Sequence, residues 1–137
     1  MLDTQCLCTL ARRSARSLTE IYDQALEPSG LKVTQYSLLR AIERLDTPSL
    51  TQLSDATGLD RSTLGRNLRL LENSGYVKID QGTDGRTRVV QLTANSKKAL
   101  RIAKPLWEHI QQRVATAVPK NAMSFFYDLN TRLEQVL

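Results

Sequence analysis

Apolar residues recur at helical spacing along most of this chain, whereas two short stretches within residues 76–92 alternate apolar and polar side chains, as β-strands do. The first helical pattern runs from about residue 5 to residue 26 and ends before Pro28. A second helical pattern begins near Thr34, whose hydroxyl can cap it, and ends before Pro48. The pattern predicts a mainly α protein with one small β-hairpin.

A tight turn joins two of the predicted helices in the middle of the chain. Leu50–Thr57 forms a short helix that Gly58 can end, because glycine adopts positive φ readily. Asp60 can then cap the next helix. We call this next helix the recognition helix, and its inward stripe is formed by Leu64, Leu68 and Leu71. Two helices joined in this way predict a helix-turn-helix.

The outward side of the recognition helix favours DNA as the partner. Its side chains are cationic or hydrogen-bonding and suit base edges and phosphates in a major groove: Arg61, Ser62, Thr63, Arg66, Asn67 and Arg69. A module that serves only protein contacts is the alternative, because a fold alone does not determine a function. Such a module has little reason to keep several arginines together, so we expect DNA binding.

The hairpin that follows extends this interpretation. Its strands are predicted at Tyr76–Asp80 and Arg88–Leu92, and an Asp-Gly pair lies in the turn between them. We expect Arg86 and Arg88 to project from the tip and enter a narrow minor groove. Asp84 is expected to pair with the Arg86 guanidinium and to direct it. A solvated tip without a role is the alternative.

Several blocks of this sequence resemble the MarR family (multiple antibiotic resistance regulators): Leu53–Thr63, Leu70–Val77, Asp84–Arg86 and Val90–Thr93. The resemblance covers nearly the whole chain, and the Asp-x-Arg tip is its most specific element. It implies a single domain with a mainly α fold and a β-hairpin wing. In that domain a winged helix-turn-helix occupies residues 31–93, and helical dimerisation regions occupy residues 1–30 and 94–137.

The resemblance also implies a homodimeric repressor or activator whose DNA binding responds to a small molecule or an oxidant. The helices at both ends carry apolar stripes that pairing across a two-fold axis would bury. The two recognition helices would then face a pseudo-palindromic operator in double-stranded DNA, and we expect repression. A monomer whose end helices fold back on its own core is the alternative.

A small aromatic or phenolic ligand is the signal that the resemblance favours. Family members often bind such compounds in a cleft between the dimerisation helices and the DNA-binding region. Arg12 and Arg16 can supply a cation, and Tyr36 can supply an aromatic wall, with Tyr22 as a further candidate. In the alternative interpretation, Tyr36 packs in the core and the arginines only solvate a helix face.

Thiol chemistry is the second possible signal, through Cys8 and its neighbour Cys6. A cysteine near a helix N-terminus is favoured as thiolate, and Arg12 adds positive charge one turn later. Leu7-Cys8 resembles the placement of a reactive cysteine in members that sense hydroperoxides, and Tyr22 lies where they have a tyrosine near the thiol. Arg12 and Val33 stand where two other tyrosines are expected. Residues two apart on a helix point to nearly opposite sides, so a Cys6–Cys8 disulfide is disfavoured. The alternative is that both cysteines have no role in sensing.

Composition adds limits rather than an identity. The chain has 137 residues, a formal net charge of +5, two cysteines and one histidine. One basic domain of this size suits a polyanionic partner. We expect no metal site, no cofactor and no enzymatic activity, because convergent ligands, nucleophile motifs and phosphate-binding loops are missing from the pattern. No apolar run approaches the ~18 residues of a membrane span, so we expect a cytoplasmic protein without a membrane partner.

Overall fold

The computed structural model describes residues 5–137. In chain order its elements are α1 (Leu7–Leu26), α2 (Val33–Leu45), α3 (Leu50–Thr57), α4 (Arg61–Asn73), β1 (Val77–Gln81), β2 (Arg88–Leu92), α5 (Ala94–Ala117) and α6 (Ala122–Glu134), with a 3-10 turn at Glu27–Ser29. The predicted fold class, mainly α with one central hairpin, is confirmed. The recognition helix of the sequence prediction is α4.

The core lies where α2, α3, α4, α5 and the hairpin meet. Leu64, Leu68 and Leu71, the predicted inward stripe of α4, are at most 2% exposed. They pack with Leu53 of α3 and Val90 of β2 in one cluster. Burying each leucine side chain contributes about 1.5–3 kcal/mol, so this stripe holds α4 firmly against the rest of the domain.

The turn between α3 and α4 follows its local chemistry as predicted. Gly58 ends α3 with φ 71°, in the left-handed region that glycine tolerates best. Asp60 caps α4, because its Oδ1 accepts a hydrogen bond of 2.8 Å from the Thr63 N–H. Both ends of the tight turn are therefore set by the residues that the sequence pattern indicates.

The predicted cap of α2 is wrong. The helix begins at Val33 with Lys32 at the cap position, so Thr34 already lies in the first turn. The Val33 N–H donates instead to Asp23 Oδ1 of α1, at 2.7 Å. A carboxylate from the preceding helix replaces the local hydroxyl as acceptor, and this contact also ties α1 to α2.

The hairpin is antiparallel, with Val77 opposite Leu92 and Gln81 opposite Arg88. The first strand therefore begins one residue later than the alternation predicts. At the base of the hairpin, Thr93 Oγ1 accepts the Ser96 N–H at 3.2 Å and donates to the Gly75 carbonyl at 2.7 Å. This one hydroxyl therefore both caps α5 and closes the base of the hairpin.

The two end helices bury little within this chain. Leu26 is the buried residue of α1, and α6 has none. The exposed apolar side chains of α6 are large: Met123, Phe125, Phe126, Tyr127 and Leu133. Among the described residues, no helix combines the length and apolar character of a membrane-spanning segment.

Candidate nucleic-acid interface

The N-terminal turn of α4 is held in place by Asp60. Its Oδ1 accepts hydrogen bonds from the Thr63 N–H and, at 2.9 Å, from the Ser62 hydroxyl. These donors, the Thr63 N–H foremost, lower the pKa of Asp60 below its usual value. The first turn of α4 therefore has a fixed geometry, and the donated proton leaves the Ser62 oxygen as an acceptor for a partner.

The predicted contact residues of α4 lie on its accessible side. Arg61, Ser62, Arg66 and Arg69 are exposed, whereas Thr63 and Asn67 are half-buried. The Arg61 guanidinium donates to Thr51 Oγ1 of α3 at 3.0 Å, and the Arg69 Nε donates to the Gly65 carbonyl at 3.4 Å. Arg61 is thus tied to the neighbouring helix and Arg69 lies along its own helix. The face is cationic, as the sequence pattern indicates.

The tip of the hairpin, which we call the wing tip (residues 82–87), is organised by Asp84. The carboxylate accepts hydrogen bonds from the N–H groups of Arg86 and Thr87, at 3.0 and 2.9 Å, and from the Thr87 hydroxyl at 2.7 Å. These three donors, with the Thr87 hydroxyl foremost, lower the pKa of Asp84 to about 2. Gly85 completes the turn at φ 71°.

The predicted pair between Asp84 and the Arg86 guanidinium is not what the structure has. Donors two and three residues ahead satisfy the carboxylate first, since an aspartate folds back readily on the following backbone. Asp84 therefore shapes the backbone that carries Arg86, and the exposed guanidinium is left to a partner. Arg88 is the exposed first residue of β2, as the strand prediction has it, and lies directly after the wing tip; its contact with DNA stays a prediction.

The predicted ligand residues do not come together in one cleft. Arg12 and Arg16 line an open groove of about 700 Å³ along α1. Tyr22 donates a hydrogen bond to Gln111 of α5, and burial raises its pKa. Tyr36 is 4% exposed and stacks on Trp107 of α5, with ring centroids 6.0 Å apart. Tyr36 packs in the core, as the alternative interpretation holds, yet it also borders a cleft.

That cleft, of about 260 Å³, lies between α2 and α5. Its aromatic wall is the Tyr36–Trp107 stack, and its rim carries one acid and three cations: Glu108, Arg40, Arg44 and Lys104. Arg40 also pairs with Glu43 on its own helix. Sequence reasoning missed these cations, although Tyr36, Arg40 and Arg44 follow each other at intervals of four and therefore share one face of α2.

The two thiols lie at the start of α1, and both are exposed. Cys6 occupies the cap position with extended backbone, φ −85° and ψ 110°, and only Cys8 is helical. The prediction that two helical residues point the thiols apart therefore does not apply to this pair. The Thr9 hydroxyl foremost, then the Thr9 and Cys8 N–H groups, lower the pKa of Cys6. These bonds favour thiolate formation at Cys6, and the choice of Cys8 as the reactive residue stays a prediction.

Tyr22 does not reach the thiols of its own chain. Fourteen residues separate it from Cys8 along one continuous helix, which corresponds to roughly 21 Å at 1.5 Å per residue. The tyrosine bonds to α5 instead. Tyr22 and the thiol region are therefore not in contact within one chain, and a role of Tyr22 in thiol chemistry stays a prediction.

Comparison with known proteins agrees with this geometry. The family model described as "MarR family" matches residues 29–87. The transcriptional regulator HosA of Escherichia coli O127:H6 is 30% identical over 106 residues, which cover 75% of this chain and 77% of HosA. The HTH-type transcriptional regulator YwoH of Bacillus subtilis is 29% identical over 86 residues. This match covers 63% of this chain and 63% of YwoH, so it spans less than two thirds of YwoH.

A solved structure extends the match to nearly the full chain. The transcriptional regulator MosR of M. tuberculosis, crystallised in complex with DNA, is 35% identical to this chain and superposes with a TM-score of 0.87. The superposition covers 96% of this chain and 98% of MosR. The similarity therefore includes the end helices as well as the helix-turn-helix and the hairpin.

Proposed function

This chain belongs to the MarR family and is a DNA-binding transcriptional regulator, and we propose that it acts as a dimeric repressor released from its operator by a small aromatic acid. The observation that carries this proposal is the combination of a cationic, capped α4 with an ordered wing tip that presents Arg86. Both features lie on accessible parts of the domain. Together they suit one helix in the major groove and one arginine in the adjacent minor groove.

Base reading is assigned to the first turns of α4. Ser62 and Arg66 are exposed there, next to the half-buried Thr63, and Asp60 holds the turn from which they project. Arginine pairs with guanine through two parallel hydrogen bonds, and hydroxyl groups bond several bases. Asn67 and Arg69, further along the helix, are assigned to phosphate contacts, which fix the register of the protein on the duplex.

The homodimer is supported by the end helices. Large apolar side chains of α6 are 43–70% exposed in one chain, among them Phe125, Phe126 and Tyr127. Several large exposed apolar side chains on one helix favour an interface. Pairing α1 and α6 with their copies across a two-fold axis buries these side chains and places two copies of α4 about 34 Å apart, one helical turn of DNA.

The cleft between α2 and α5 is the proposed ligand site. An aromatic ring can pack beside the Tyr36–Trp107 stack, and the carboxylate can pair with Arg44 at the rim, with Lys104 adding positive charge nearby. Because α5 leads to the dimer interface and α2 packs on the DNA-binding helices, a ligand between them changes the spacing of the two copies of α4. Small shifts suffice, since both half-sites must be met at once.

An oxidant is the second candidate signal, favoured by the exposed position of Cys6 at the start of α1 and by the hydrogen bonds that lower its pKa. The Cys6 thiolate would attack the O–O bond of a hydroperoxide, forming a sulfenic acid and releasing the alcohol. Two equivalents of a thiol reductant then restore the Cys6 thiol: the first forms a mixed disulfide and releases water, and the second reduces that disulfide. Peroxide should then release the wild type from DNA, Cys6→Ser should ignore peroxide, and Cys8→Ser should still label with a sulfenic-acid probe. Peroxide-insensitive binding by the wild type contradicts this candidate.

The proposed repressor is tested first by selecting bound duplexes from a random DNA library. We expect an enriched motif with two-fold symmetry and half-sites about one helical turn apart. Light scattering should give twice the 15.4 kDa chain mass for the free protein, and this mass plus that of one duplex for the complex. An enriched motif without symmetry, or a monomer on DNA, contradicts the proposal. Placing the motif upstream of a reporter gene then shows repression, and activation would contradict it.

A further inference from the structure

One side chain joins the C-terminal end of the recognition helix to the outer edge of the hairpin. Glu72, in the last turn of α4, accepts a hydrogen bond from the Ile79 N–H of β1, with an Oε2···N distance of 3.2 Å. We propose that Glu72 is a positioning residue: it sets the direction of the hairpin relative to α4 and so brings Arg86 to the DNA. This inference rests on the proposed minor-groove contact of Arg86.

The opposite edge of the hairpin is held at the same level. Ile79 pairs with Val90 in the register of the sheet. The Val90 N–H donates to the Pro48 carbonyl, at 2.9 Å, in the loop before α3. The Ile79–Val90 pair is therefore anchored on one side to α4 and on the other side to the segment that leads into α3.

The wing tip lies well beyond this anchored pair. From Ile79 to Gly82 the hairpin extends roughly 10 Å at about 3.3 Å per residue, and the turn carries the tip about 3 Å further. A rotation of about 10° at the anchored pair therefore moves the tip by roughly 2–3 Å, which is close to the length of a hydrogen bond. A contact at Ile79 can thus decide whether Arg86 reaches the groove, although Glu72 itself is remote from the tip.

The position of Glu72 is unfavourable for DNA binding if only its charge is considered. It is exposed on the helix that carries Arg66 and Arg69, and a carboxylate there repels phosphate. Its hydrogen bond to a backbone N–H, by contrast, is charge-assisted and also satisfies a donor on the open edge of β1. The charge of Glu72 lowers the affinity for DNA, whereas its hydrogen bond to β1 raises it by orienting the hairpin. This combination fits a positioning role.

The experiment compares two variants that lose the same charge. Glu72→Gln keeps a side-chain oxygen that can accept the Ile79 N–H, and Glu72→Ala does not. Glu72→Met, which keeps the length without an acceptor, serves as a second loss variant if the alanine variant folds poorly. We expect the operator affinity of Glu72→Ala and Glu72→Met to be roughly 3- to 10-fold lower than that of Glu72→Gln, in line with the loss of one hydrogen bond.

Two further measurements separate positioning from general destabilisation. On an Arg86→Ala background, the difference between Glu72→Ala and Glu72→Gln should disappear, because Glu72 acts through the wing. By NMR, the Ile79 amide should exchange with solvent faster in Glu72→Ala than in Glu72→Gln. The Val90 amide, held by Pro48 on the other edge, is the internal control and should be unchanged.

Equal operator affinity of Glu72→Ala and Glu72→Gln would overturn the inference. A difference that persists in full on the Arg86→Ala background would also overturn it, since Glu72 would then act elsewhere. If Arg86→Ala alone binds like the wild type, the proposed wing contact fails and the positioning role fails with it. The single Arg86 variant thus separates a failure of the wing contact from a failure of Glu72 alone.

Discussion

At the scale of single residues, the acidic side chains of the proposed DNA-binding surface act on the backbone. Asp60 bonds the first turn of α4, Asp84 bonds the wing tip, and Glu72 bonds the edge of β1. Each carboxylate accepts a hydrogen bond from a main-chain N–H group. It therefore points toward the protein backbone and fixes the conformation or position of that segment. The arginines Arg66 and Arg86 stay exposed and are the side chains that such a framework presents.

The pKa of Asp84 predicts how the wing tip responds to acid. Its folded value of about 2 lies below its usual value of 3.8. A lowered pKa means that the stabilising bonds are complete above the unfolded value and are lost only as the pH falls through the folded value. Asp84 therefore stays ionised from about pH 5 to 8, the range in which DNA binding is measured, and its hydrogen bonds in the wing tip should not change within that range.

Arg86→Ala should weaken operator binding by ~1–3 kcal/mol while the fold is kept, because one minor-groove contact is lost. Anisotropy titration at fixed salt measures this loss. Arg88→Ala is the matched control, since Arg88 lies in β2 outside the tip, and its loss should be smaller. Asp84→Ala should act in the same direction as Arg86→Ala, but more weakly. Unchanged affinity of Arg86→Ala removes this residue from the DNA contacts.

At the scale of elements, the parts that could be predicted are those set by near neighbours in sequence. The end of α3 at Gly58, the Asp60 cap and the leucine stripe of α4 all depend on residues within one or two turns. The cap of α2 could not be predicted, because its acceptor, Asp23, comes from a helix ten residues earlier. A local sequence pattern does not reveal contacts between residues that only the fold brings together.

The recognition helix offers a matched pair of arginines. Arg66 is exposed near the N-terminal turns, whereas Arg69 bonds the Gly65 carbonyl of its own helix. Arg66→Ala should relax sequence preference by about 1–3 kcal/mol, since a base contact is lost. Arg69→Ala should instead lower affinity for all sequences alike. Competition between operator and random DNA at fixed salt measures both. Equal losses on the two DNAs for Arg66→Ala contradict its base-reading role.

At the scale of the whole molecule, the candidate ligand site illustrates why sites are harder to predict than elements. Arg12 and Arg16 lie along α1, whereas Tyr36 meets Trp107 across the junction of α2 and α5. Tyr36 and Trp107 are 71 residues apart in sequence, and only the packing of α2 on α5 brings them together. The family resemblance predicted the kind of ligand, but the cations that face the aromatic stack became visible with the fold.

The cleft between α2 and α5 makes a prediction that distinguishes it from the groove along α1. An aromatic carboxylate such as benzoate should raise the apparent Kd for operator DNA in the wild type. Arg44→Ala should abolish this effect, because Arg44 lies at the rim beside the Tyr36–Trp107 stack. Its loss should leave DNA binding without ligand intact, since the proposed DNA contacts lie on α4 and the wing tip.

Arg16→Ala is the matched control for the ligand, because it removes a cation from the groove along α1 and leaves the cleft unchanged. If the cleft is the site, the arginine variants must differ: Arg16→Ala stays inducible and Arg44→Ala does not. The reverse result assigns the ligand to the groove along α1 and contradicts the proposed site.

The coupling itself requires both subunits, because a ligand that changes the spacing of two recognition helices weakens binding to a full operator. The same ligand should therefore leave the weaker binding to an isolated half-site nearly unchanged.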